Sequence, residues 1–210
     1  MDGLQFGTLA GDLDIRARRG GGKVITGSFP YRRRAVMSDG GRNRRPEKEE
    51  FDSRAFAYRV EKPDEEIHFL SGHRYDKPLA SKLNGSLQLR DTDKALMFEA
   101  SILPEILDTQ HARDAIALLA AGLATGISPG FRMPPERAVP REEAETISEE
   151  PINPDAGQHG ARIRLIRQAL LFELSLVTQP AYSEAQAEAR HVQPNALQIC
   201  RVNHLNRWRL

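Results

Sequence analysis

Residues 170–178 read LLFELSLVT, a run of strand-forming apolar residues with a carboxylate near its centre. An ionised carboxylate taken out of water without a partner costs roughly several kcal/mol. Two kinds of fold therefore satisfy this run. Either the strand lies at an edge and Glu173 stays in water, or the strand is internal and another part of the chain supplies a donor such as an imidazole N–H. Simple alternation places Leu171, Glu173, Ser175 and Val177 on one face and Phe172, Leu174 and Leu176 on the other.

Two further segments hold groups that would complement such a carboxylate. His73 lies in HFLSGHRYDKPLAS, at the exit of an apolar run and ahead of Pro78, and Ser128 lies in ATGISPGFR, where small residues lead from a turn into a strand. A hydroxyl, an imidazole and a carboxylate are the three groups of nucleophilic acyl transfer: one attacks, one takes the proton, one orients the imidazole. Each also has a plainer reading, as a surface histidine, a turn serine and an edge-strand glutamate. His68 and His111 compete as bases, but neither has a turn around it that projects the ring into a cleft. Pro129 lacks an N–H, so an oxyanion donor next to Ser128 falls to Gly130 or to the backbone near Arg132.

The 210 residues suit one well-buried core, expected over residues 1–190 and followed by a basic tail over 191–210. A formal net charge of +1 implies no overall bias toward polyanions. Charge is unevenly spread, however: residues 1–48 hold eleven Lys/Arg against five Asp/Glu, and residues 136–155 hold two against seven. Arg32–Arg34 and Arg42, Arg44 and Arg45 suggest nucleic-acid contact, but without a finger, helix-turn-helix or stacking-aromatic motif they read as solvated loops. Cys200 is the sole cysteine, which excludes an intramolecular disulfide. No run approaches the ~18 apolar residues of a membrane span, and no basic and apolar leader opens the chain, so a soluble intracellular protein is expected. RRGGGK lacks the spacing and hydroxyl of a phosphate-binding loop, and no HExxH or paired Cys/His set points to zinc; no cofactor is expected.

The pattern along the chain is β-rich α+β. Residues 7–36 read as short antiparallel strands, SDGGRNRRPEKEE as a surface loop, FDSRAFAYRV as a short helix or turn, and EEIHFLSGH as a strand. SLQLRDTD and KALMFEASIL form a hairpin pattern. Asp108 is placed to cap a helix over residues 109–121, with Gly122 as its stop. Residues 134–160, with five prolines and repeated acids, read as a long mobile acidic insertion. ARIRLIRQA and LLFELSLVT return as strands, and 183–191 as a short helix.

DSRAF, HRYDKPLAS, GISPGF and ELSLVTQPAYSEA, in this order over residues 7–190, resemble the prohead proteases of tailed bacteriophages, relatives of the herpesvirus assemblins. The resemblance implies an assemblin-like fold, a twisted β-barrel or sheet with flanking helices. It makes His73, Ser128 and Glu173 the catalytic triad, with Asp76 as the alternative third member. Pro129 and Ala80 depart from the family's usual Ile/Val and Gly. The implied activity is a serine endopeptidase in the immature procapsid, within the host bacterial cytoplasm. Its implied substrates are the scaffold, the scaffolding part of the major capsid protein, and itself. Three other readings remain: an inactive capsid scaffolding protein, a nucleic-acid-binding accessory protein, and a Ser/Lys peptidase using Lys77 or Lys82.

Overall fold

The protein is described from a computed structural model over residues 5–6, 9–10, 13–18, 21–42, 44–153, 155 and 157–178. The first half contains β1 (Gln5–Phe6), β2 (Leu9–Ala10), β3 (Leu13–Ala17), β4 (Lys23–Pro30), β5 (Arg34–Ser38), β6 (Glu47–Phe51) and α1 (Ala57–Glu61). Next come β7 (His68–Ser71), β8 (Arg74–Ser81), β9 (Leu87–Asp91), β10 (Ala95–Ile102), α2 (Pro104–Leu107) and α3 (Gln110–Ala120). The chain continues through β11 (Gly126–Arg132), α4 (Arg141–Ala144), β12 (Glu145–Glu149), β13 (Ile152–Asn153), β14 (Gln158–His159), β15 (Arg162–Ile166) and β16 (Leu170–Val177). The expected helix at 183–191 and the basic tail lie outside the described residues.

Among the described residues, three sheets carry the fold. One runs β1-β11-β16-β7-β8 with β2 also on β11, the second β3-β4-β10-β9, and the third β12-β15-β6-β5. β13 and β14 make a separate two-stranded ribbon. The β-rich α+β expectation fits, but among the described residues the strands form open sheets and not a closed barrel.

An aromatic cluster joins the sheets. Phe29 of β4, Phe51 of β6 and Phe131 of β11 are each fully buried, one from each sheet. Phe51 meets Phe29 edge to face at 5.4 Å between ring centroids and Phe131 at 5.1 Å, and Phe56, just before α1, lies 5.0 Å from Phe51. Such aromatic pairs add about 0.5–1.5 kcal/mol beyond the area they bury. Because Phe131 points into this cluster, Gly130 and Arg132, its neighbours on β11, are directed to the opposite face.

Several local expectations change in this setting. Thr109 rather than Asp108 caps α3, its side-chain oxygen accepting the Ala112 N–H at 3.4 Å, and Gly122 ends the helix at φ +68°. The stretch expected as a charged loop ends in strand β6, because Glu49 and Phe51 alternate inward while β5 and β15 pair on either side. The expected mobile insertion at 134–160 instead carries α4, β12, β13 and β14. Ion pairing holds it: Arg164 reaches both Glu145 and Glu49, Arg141 reaches Glu145 at 2.7 Å, and Lys48 reaches Glu150 at 2.8 Å.

Glu49 is 5% exposed, and one of its carboxylate oxygens has no hydrogen-bond partner. Burial pushes its carboxyl up to about 7 from 4.5, with Arg164 pulling down and Glu145 adding to the rise. A folded value above the unfolded one means that the contribution to stability is complete below about 4.5 and is lost as pH climbs through about 7. Glu49→Gln removes this dependence. The melting temperature of Glu49→Gln relative to wild type should shift in the variant's favour by about 5–10 °C between pH 5 and pH 8; a gap independent of pH would contradict the assignment.

Candidate active site

β11 and β16 pair antiparallel, with Ser128 opposite Ser175 and Gly130 opposite Glu173. Opposed residues share a face, with Cβ atoms about 5 Å apart. The register then slips by one, so Phe131 opposes Leu171 and Phe172 is the extra residue of a β-bulge. The bulge overturns the simple alternation. Leu171 joins Leu174 and Leu176 in the core, while Glu173 and Ser175 turn to the other face beside Ser128. Glu173, Ser175 and Ser128 are all fully buried.

Parallel pairing of β7 with β16 brings the histidine segment across this face. β7 and β8 are joined through Gly72 and His73 alone, at φ +65° and +61°, with Ser71 opposite Arg74. Positive φ at both central residues is the tight hairpin turn that follows strand twist. A non-glycine residue there costs about 1–3 kcal/mol and persists only where its surroundings enforce it. Here two hydrogen bonds do so: Gly72 N–H donates to the Leu176 carbonyl at 3.0 Å, and His73 N–H to Ser175 Oγ at 2.9 Å.

The imidazole is then aimed at the carboxylate, with His73 Nδ1 2.7 Å from Glu173 Oε1. The second oxygen, Oε2, accepts the Ser175 hydroxyl at 2.6 Å. Glu173 is thus an internal carboxylate with partners on both oxygens, the second of the two solutions its strand allowed. Ser175 was not singled out in the sequence. It accepts from the backbone of the histidine and donates to the acid, and its signal was a second polar residue two places after Glu173 in an apolar strand.

Gly130 has a different place from the one expected. A Cβ there would lie 2.1 Å from Glu173 Oε1 and 2.7 Å from its Cδ, so the missing side chain is the space the carboxylate occupies. Its N–H lies in the sheet plane between β1 and β16, away from the face of Ser128. Arg132 is four residues along β11, about 13 Å from Ser128, too far for its backbone to meet an oxyanion formed there. Pro129 sits where the ladder on its far side is interrupted among the described residues, since β1 pairs with 130–131 and β2 with 126–127.

The remaining candidates are engaged elsewhere. Asp76 is exposed and bonds Arg74 at 2.7 Å. His68 is opposite Glu173 in register but packs its ring edge to face on Tyr75 at 5.7 Å. His111 Nε2 is 2.9 Å from the Pro78 carbonyl, and Lys82 Nζ donates to the Arg59 carbonyl at 2.8 Å. No group of three or more His, Cys, Asp and Glu able to hold a metal occurs among the described residues.

Residues 36–198 match the family described as caudovirus prohead serine protease. The chain belongs to that family. The matched span takes in His73, Ser128 and Glu173, and so the whole of the β7–β16–β11 face. Neither the curated proteins nor the solved structures yield a match. Among the described residues of this prohead-protease family member, no helix is long and apolar enough to cross a membrane.

Two substitutions probe the constellation. Gly130→Ala should expel the Glu173 carboxylate from its seat, abolish the downfield Nδ1 proton resonance of His73, and lower any peptide hydrolysis about 10²-fold in a folded protein. Ser175→Ala should shift the same resonance and Ser175→Thr should largely restore it; an unchanged spectrum in Ser175→Ala would remove Ser175 from the network.

Proposed function

We propose that the protein is a serine endopeptidase of procapsid maturation, acting inside the immature particle in the bacterial host cytoplasm. Its substrates are the scaffold or the scaffolding part of the major capsid protein, and the protease itself. The observation that carries this reading is the 2.7 Å contact of His73 with Glu173 on the face that bears Ser128. Family membership supports the same chemistry.

Glu173 fixes the proton on His73 Nδ1, so Nε2 is the nitrogen that takes the Ser128 proton as Oγ attacks the scissile carbonyl. The tetrahedral intermediate collapses to an acyl-enzyme while the imidazolium returns its proton to the leaving amine. Water, deprotonated by the same nitrogen, then attacks the ester, and collapse releases the new carboxyl end and restores the Ser128 hydroxyl. Buried Glu173 balances the imidazolium charge in each half-reaction. Ser128 carries no exposed surface, so a peptide reaches it only when groups over this face move aside.

Other readings have less support. Among the arginines that suggested nucleic-acid contact, Arg32 pairs with Asp52, Arg34 with Glu50 and Arg45 with Glu149. Lys82, one of the two candidate bases of a Ser/Lys mechanism, is committed to backbone carbonyls at α1.

Co-expression with the major capsid protein and scaffold of the same phage tests the proposal. Ser128→Ala should abolish cleavage of those proteins and of itself while retaining the wild-type fold by circular dichroism; wild-type-like processing by that variant would sink the assignment. Glu173→Gln should reduce the rate by about 10²-fold to 10⁴-fold, and Asp76→Asn by less than about threefold. The reverse order would move the acidic role to Asp76.

A further inference from the structure

The bulge that turns Glu173 toward Ser128 also leaves Phe172 on the same side, half-buried, at the end of the face remote from His73. Two guanidinium groups stack on its ring. Arg59 of α1 lies 3.9 Å from the centroid and Arg132 of β11 lies 5.0 Å from it. Ser128, Gly130 and Arg132 follow one another at alternate positions of β11, so Arg132 belongs to the catalytic face.

The two cations are not equivalent. Arg59 is largely buried, pairs with Glu65 at 2.9 Å, donates to the Glu66 carbonyl at 2.9 Å, and keeps an Nε without a partner. Arg132 is exposed, and among the described residues no carboxylate pairs with it. The platform therefore has a net positive charge concentrated on Arg132. A guanidinium stacked on an aromatic ring is pre-organised, its N–H edge left to grip a carboxylate with two parallel hydrogen bonds.

We infer that Arg132, held on Phe172 beside Arg59, is a specificity subsite that binds the side-chain carboxylate of an Asp or Glu in the peptide substrate. The inference rests on the peptidase reading above and extends it to substrate choice. β11 places the subsite about 13 Å from Ser128, and an extended peptide advances about 3.3 Å per residue, so the acid lies roughly three to five residues from the scissile bond.

The test uses peptides spanning the sites cut in the co-expressed capsid and scaffold proteins, with Glu, Gln or Lys placed in turn at each of five positions on either side of the bond. At one position wild type should prefer Glu over Gln by about tenfold to a hundredfold in kcat/KM. Arg132→Glu should invert that preference toward Lys, and Phe172→Leu should raise KM for the Glu peptide with kcat little changed. Equal kcat/KM for Glu and Gln at every position, or an unaltered preference in Arg132→Glu, would overturn the subsite. A peptide truncated at that position, compared as free acid and as amide, separates the sources of the carboxylate; a preference carried only by the free terminus would also overturn the side-chain reading. Binding of the Glu and Gln peptides to Ser128→Ala, followed by fluorescence anisotropy with and without Arg132→Glu, decides the subsite independently of turnover. If no protein is cut, peptides tiling the capsid and scaffold proteins serve as the probes, and an Arg132-dependent preference for Glu in their binding would defeat the peptidase reading alone.

Discussion

The buried carboxylate of Glu173 is the interaction on which the rest of the site depends. Removing it from water is tolerable only because His73 and Ser175 occupy its two oxygens. The same two residues also bond each other, His73 N–H donating to Ser175 Oγ, and with the Gly72 N–H bond to the Leu176 carbonyl this holds the β7–β8 hairpin against β16 and supports a histidine in a backbone region that L residues seldom adopt. Electrostatics and backbone geometry thus reinforce each other: the hairpin supplies the donor the acid needs, and the acid's neighbour on β16 supplies the acceptor the hairpin needs.

That arrangement depends on one irregularity in an otherwise regular ladder. Without the bulge at Phe172, Glu173 would share a face with Leu171, and one of the two would be misplaced. With it, Leu171 remains in the core beside Phe131 and Glu173 crosses above Gly130. The absence of a side chain at residue 130 and the extra residue at 172 are therefore complementary features of adjacent strands. Phe172, displaced by the same bulge, becomes the surface on which Arg59 and Arg132 stack.

The legible parts of the fold were those whose signal is local. The β9–β10 hairpin and the α3 helix follow from alternation, helical spacing and turn residues within a few positions of one another. The segments that read as loops, β6 and β12, are dominated by charge, and β6 finds its second partner, β15, only at the other end of the chain. Arg164 lies over a hundred positions from Glu49, and no window around either reveals the pair. The consecutive strands β15 and β16 likewise enter different sheets, a choice set by long-range packing.

By itself, the sequence determined which chemical groups were available and that Glu173, in an apolar strand, required either water or a donor. It determined their order along the chain and, through the local signals around His73 and Ser128, the turns and strands that carry them. Only the tertiary structure decided that the donor is His73, that Ser175 completes the carboxylate's contacts, and that Gly130 leaves the space the carboxylate occupies. The physical reason is register: a single extra residue in β16 reverses which side chains meet, and that offset is fixed by packing against β11 and β7 rather than by any property of residues 170–178 alone.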